Sequence, residues 1–156
     1  MKVKVFISYN RKDLPEALAL SMDLSDDRVP NDMDELHGNL PTTNPRVLVN
    51  TIHSAISDCS HLIVVLSETT MKSHWVPYEI GYAVAKNLYV VTYGVSFEIV
   101  PQYLRVWPNL STQKHLDGFI ARFKRKYRLA KAMIKESEDE RESFYTEMKR
   151  ITGQIR

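Results

Sequence analysis

The sequence holds a single cysteine, Cys59, among 156 residues. No internal disulfide can form, and a reducing compartment is the expected home. Charge of one sign is also scarce: 21 Lys and Arg face 19 Asp and Glu, a formal net charge of +2. So small an excess argues neither for a nucleic-acid coat nor for an acidic partner. Long apolar runs are missing too. The longest strongly apolar stretch is residues 62–66, whereas a bilayer span needs roughly 20 residues. Residues 1–10 carry two lysines and a short apolar run interrupted by polar residues, unlike the continuous core and cleavage site of a signal peptide. These absences predict a cytoplasmic protein with no membrane partner. There is no GxGxxG and no GxxxxGK[ST], so neither a Rossmann dehydrogenase nor a P-loop NTPase is supported. His37, His53, His61, His74 and His115 lack metal-ligand spacing, and HExxH and CxxC are absent, so no metal is expected. No His and Asn constellation supports Cys59 as a nucleophile, and it reads as a structural thiol.

What is present is the composition of one ordinary folded domain, 44% hydrophobic and 26% charged, long enough to bury a core. Residues 2–9 (KVKVFISY), 61–66 (HLIVVL) and 88–93 (LYVVTY) read as buried strands. Helical spacing predicts helices over 14–23, 46–59 and roughly 74–86. Asp13 can cap the first, Pro15 suits its opening turn, and Pro77 limits where the third begins. Residues 25–45 hold Pro30, Pro41, Pro45 and Gly38 and read as a long surface loop with one short strand inside it, of the kind that often carries function. Residues 67–73 form a polar turn, 96–111 read as irregular, and the chain from 115 onward reads as mostly helical. Strands apolar on both faces and alternating with helices predict an α/β fold, a central parallel sheet with helices on both faces. Ligands in such folds bind outside the carboxyl ends of the strands. That rule selects residues 8–11, residues 67–73 and the start of the helix carrying Trp75 and Glu79.

Trp75 and Glu79 are spaced i, i+4, so they share one helical face, a turn apart. The helix N-terminus is expected to favour the ionised carboxylate. A carboxylate beside a stacking surface suits cleavage of a ribosyl bond, whose transition state resembles an oxocarbenium ion that a carboxylate stabilises or captures.

Two strand–turn segments carry a resemblance. Residues 4–13 (KVFISYNRKD) and 64–83 (VVLSETTMKSHWVPYEIGYA) resemble the two signatures of TIR domains, and residues 34–38 (DELHG) loosely resemble the acidic segment that follows their second strand. The resemblance is good over residues 3–93. It implies a flavodoxin-like TIR fold over residues 1–135, followed by a charged amphipathic helix over 136–156 that packs on the domain or serves assembly. It also implies an enzyme that splits NAD into nicotinamide and an ADP-ribose product, sometimes cyclised, with NAD as substrate and no cofactor. Glu79 matches the catalytic glutamate and Trp75 the tryptophan one turn before it. Tyr9, Asn10 and Arg11 match the loop lining the dinucleotide site, where Arg11 offers charge to the pyrophosphate. Asp34 is a candidate ribose partner. Ser8 has two readings, ligand contact or a cap for backbone groups at the strand end. Trp75 has two as well, a stacking surface or a core anchor, and Tyr78 is expected to pack.

Segment 75–80 (WVPYEI) is similar to that of free-standing bacterial TIR proteins of anti-phage defence, notably the Thoeris type. The resemblance then implies a diffusible signal read by a separate effector protein, and a homo-oligomer built through TIR–TIR contacts, with the 25–45 loop covering a neighbour's pocket. Two alternatives stand beside this reading, a non-catalytic TIR interaction module and a nucleoside deoxyribosyltransferase-like enzyme. The basic run 122–131 (RFKRKYRLAK) holds six positive charges with Phe123 and Tyr127 between them. It reads as a charged helical face with aromatics turned inward more readily than as a nucleic-acid contact. Phe144, Met148, Ile151 and Ile155 recur as a stripe that either packs back or meets another subunit.

Overall fold

Val5, Phe6, Ile7 and Ser8 are all buried and form the first strand, β1 (Val5–Ser8). Alternate side chains of a strand point to opposite faces, so burial at every position requires cover on both sides. That cover is present. The computed structural model describes residues 2–33, 44–132 and 138–156. After β1 the chain forms α1 (Leu14–Asp26), β2 (Asn31–Met33), α2 (Pro45–Ser57), β3 (His61–Val65), α3 (Trp75–Ala85), β4 (Tyr89–Tyr93), β5 (Asn109–Leu110), α4 (Gln113–Lys131) and α5 (Glu138–Ile151). The described strands make one parallel five-stranded sheet in the order β2-β1-β3-β4-β5, the flavodoxin-like order.

Val5, Ile7, Ile63, Val65, Tyr89 and Val91 face one core, closed by α1, α4 and α5 through Leu20, Leu24, Phe119, Phe123, Phe144 and Met148. Phe6, Leu62, Val64 and Val90 face a second core, closed by α2 and α3 through Ile52, Ile56, Val76, Ile80 and Ala83. Cys59 lies in this second core with no exposed surface. Among the described residues, no helix is long and apolar enough to cross a membrane.

Two local expectations are corrected, and a third gains detail. Asp13 precedes α1 but its side chain makes no cap bond there, because hydroxyl donors from another loop take it. Residues 96–111 are not wholly irregular. Single 3-10 turns at Phe97–Ile99 and Gln102–Leu104 lead into β5, whose two residues are too few for an alternating pattern to show. Tyr78 packs against His53 of α2 and Trp75 rather than in the core. It is 39% exposed and meets His53 Nε2 through its hydroxyl at 2.5 Å, while His53 stacks on Tyr82 with 3.7 Å between ring centroids.

The carboxyl-terminal stripe folds back on the sheet. Phe144 and Met148 are buried in the first core and Ile151 is half-buried against it. Ile155, at 41% exposed, falls outside it. Tyr145 Oη accepts from the Val90 amide at 3.0 Å, and Gln154 accepts from the Asn109 amide at 2.6 Å. In the basic run, Phe123 is buried and Tyr127 packs against the same core. Of its charges, Arg122 pairs with Glu147 at 3.1 Å and Lys124 with Asp27 at 2.6 Å.

Candidate functional site

The chain leaves β1, runs outward to β2, and returns across β1 to β3. Strand order therefore reverses between β1 and β3, and the crevice outside their carboxyl ends is where an open α/β sheet binds ligands. Ser8 is the last residue of β1 and is fully buried. Tyr9 follows at 5% exposure, and Asn10 accepts from the Lys12 amide at 3.1 Å, capping the 3-10 turn Arg11–Asp13. Arg11 on that turn is exposed.

Across the crevice, the turn after β3 is organised by Ser67. Its Oγ accepts from the Thr69 and Thr70 amides, each at 3.1 Å. The same hydroxyl donates to Asp13 Oδ2 at 2.7 Å, and Thr70 Oγ1 donates to that oxygen at 2.5 Å. One buried carboxylate oxygen thus stitches the loop after β1 to the loop after β3. Sequence reading found both loops but not this clasp, since Asp13 fits a helix cap as well.

The next helix begins where Ser73 Oγ accepts from the Trp75 amide at 3.2 Å, with Pro77 in its first turn. Trp75 is half-buried against the second core and meets the edge of Tyr78 with 5.9 Å between centroids. One turn on, Glu79 has no exposed surface. The Ser8 hydroxyl donates to Glu79 Oε2. This changes two readings. Ser8 bonds to a side chain rather than capping backbone, and Glu79 lies a full turn inside α3, beyond the first turn where the helix dipole acts. The structure brings Ser8 and Glu79 into contact, sets Trp75 on the same helix, and places Tyr9, Asn10 and Arg11 on the loop that continues from Ser8. Asp34 and the rest of segment 34–43 lie outside the described residues.

Three groups elsewhere in the fold, His61, Cys59 and Lys126, carry large electrostatic shifts. His61, at the opposite end of β3, is held well below its usual 6.5 by burial and then by Lys126 and Arg141. Burial pushes the Cys59 thiol up to about 12, which makes it a poor nucleophile. Lys126 is lowered to about 8 by burial and then by Arg141. Among the described residues, no group of three His, Cys, Asp or Glu side chains is gathered to hold a metal ion.

Comparison with known proteins agrees with this architecture. No curated protein matches the chain. Among solved structures it is similar to the TIR domain of the Toll-related receptor TRR-2 from Hydra magnipapillata, at 17% identity and a TM-score of 0.61 over 80% of this chain and 97% of that one. It is also similar to a metazoan TIR-STING receptor from C. gigas in complex with 2',3'-cGAMP (23% identity, TM-score 0.46, 69% of this chain and 34% of that one). A third similar structure is the TIR domains of the activated Roq1 resistosome (15%, 0.47, 97% and 84%). The first of these likenesses supports the fold. The family model described as TIR domain matches residues 5–128, which span every described strand and the helices around Glu79, and the chain accordingly belongs to the TIR domain family.

Proposed function

We propose that the protein is a TIR-type NAD hydrolase or cyclase in which Glu79 is the catalytic carboxylate. The observation that carries this reading is Glu79 itself, fully buried where the strand order reverses and bonded to the residue that ends β1. A buried carboxylate is costly unless something uses or compensates it, and here it stands one helical turn from Trp75.

In the reaction, the bond between ribose C1′ and the nicotinamide nitrogen breaks and its electron pair leaves with the nitrogen, so that nicotinamide departs neutral. The positive charge left on the ribose is spread over C1′ and the ring oxygen, where the Glu79 carboxylate stabilises or captures it. Water then adds to C1′ and loses a proton, giving ADP-ribose, or a nucleophile within the same molecule closes a ring. Trp75 is assigned to stacking on a base and the exposed Arg11 to the pyrophosphate. Tyr9 and Asn10 shape the loop between them, and Asp34 is assigned to a ribose hydroxyl. NAD binding has to uncover the carboxylate, which is closed to solvent in the described state.

We assign the product to signalling, in the manner of free-standing bacterial anti-phage TIR proteins of Thoeris type, with a separate effector protein as its reader and a homo-oligomer as the working form. A non-catalytic interaction module is the second reading. The complete closure of Glu79 fits it, and so does the exposed apolar line of Leu14, Leu18 and Met22 along α1, a surface suited to contact between copies. A deoxyribosyltransferase-like enzyme would act on free nucleosides instead.

Concentrated wild-type protein and Glu79→Gln are incubated with NAD, alone and with infected-cell extract, and the products are read by liquid chromatography and mass spectrometry. Nicotinamide release by the wild type, lowered in the variant by about two to three orders of magnitude, supports the enzyme, and the product mass separates hydrolysis from cyclisation. A folded, self-associating wild type with no turnover would falsify the catalytic reading and leave the module. Turnover of nucleosides alone would identify the transferase.

A further inference from the structure

Ser8 has no exposed surface, yet its hydroxyl is committed to Glu79 Oε2, 71 residues away along the chain. Its backbone is fixed by the sheet, where Ser8 pairs with Val64 of β3 at the end of the β1–β3 register. Its side chain has a single heavy-atom torsion, so the hydroxyl sits on one of the most rigid supports the molecule offers. A glutamate on a helix has three such torsions, and α3 alone does not select among them. A hydroxyl donated from the neighbouring strand selects one, because a hydrogen bond to a carboxylate is short, directional and strong.

We propose that Ser8 is a positioning residue: it holds the Glu79 carboxylate in its working orientation and does not itself contact substrate. This rests on the reading of Glu79 as the catalytic carboxylate. Ser8 is closed to solvent and its only proton is committed to Glu79, so it has no donor left for a ligand, and Thr, with the same hydroxyl on a β-branched frame suited to a strand, can replace it. The hydroxyl proton stays on Ser8 throughout, and no bond to Ser8 is made or broken.

The test compares Ser8→Thr with Ser8→Val, which have nearly the same shape and differ by the hydroxyl. NAD cleavage by the two folded variants is measured for kcat and KM. The Thr variant should exceed Val in kcat by about tenfold or more, the effect of one hydrogen bond to a charged group, with KM the same in both. In a Glu79→Gln background the difference between Thr and Val should vanish. A difference carried by KM would make Ser8 a substrate contact and overturn the proposal, as would equal kcat values. A wild type that does not cleave NAD removes the functional reading separately. In that case a double-mutant cycle on denaturation midpoints decides, and zero coupling between Ser8 and Glu79 overturns the positioning contact.

Discussion

His61 opens β3 with no exposed surface. Its Nδ1 lies 2.7 Å from Ser60 Oγ, and Nε2 meets no hydrogen-bond partner among the described residues. Aromatic rings surround it. Tyr89 stacks at 4.9 Å, and Phe123, Phe119 and Phe144 lie at 5.0, 5.7 and 5.8 Å between centroids. Lys126 and Arg141 stand over Tyr89 at 4.0 and 4.3 Å, so a proton on His61 would enter an apolar cage already faced by two cations. The folded protein therefore keeps His61 neutral well below 6.5, while the unfolded chain takes up the proton as pH falls through 6.5. The unfolded state then binds more protons, and folding stability declines. Stability from His61 should be intact above about pH 6.5 and fall by up to about 1.4 kcal/mol for each pH unit below it. Urea denaturation at pH 7.5, 6.5 and 5.5 measures this, and His61→Phe should flatten the curve. At this scale the spacing of Trp75 and Glu79 was legible because a helix repeats every few residues. The Ser8–Glu79 bond was not, because it joins two distant segments that only the sheet order brings together.

Among the elements, α5 is the one whose role the sequence left open. Its apolar stripe could serve the core or another subunit, and a helix shows only which side is apolar, never what meets it. Here it meets α4 closely. A side chain carbon added at Gly118 would lie 2.9 Å from Ile151 Cγ2, so the two helices approach where the side chain is smallest. Phe144 packs on Tyr89 with 4.6 Å between centroids, and Arg141 donates to the Leu88 carbonyl at 3.2 Å. Phe144→Ala should cost about 3–5 kcal/mol of stability, whereas Ile155→Ala, on the exposed end, should stay within about 0.5 kcal/mol. Equilibrium denaturation separates the two, and equal effects would mean that α5 is not docked as described. The strands β1, β3 and β4 were readable because each holds a run of consecutive apolar residues. β5 escaped because two residues carry no period, and the Asp13 clasp escaped because an aspartate before a helix has a local explanation that the tertiary structure overrides.

At the scale of the whole molecule, a sheet covered on both faces divides the interior into two separate cores. Alternating side chains of the same strands feed both, so neither core can loosen without disturbing the sheet that carries the crevice. This division could be anticipated from strands that are apolar on both faces. The order of the strands, which locates the crevice, came only through the resemblance to a flavodoxin-like fold and not from the strand patterns themselves. Cys59 lies in the core closed by α2 and α3, with its Sγ donating to the Ala55 carbonyl at 3.4 Å and its acidity suppressed to about 12. As the chain's sole thiol, it is a built-in clock. A thiol-specific dye should react with it at once in urea but in native buffer only at the rate at which that half of the molecule opens. The time course of a single colour change would thus report how often the α2–α3 side breathes, and slower labelling in the presence of NAD would show that a ligand at the crevice quiets the core behind it.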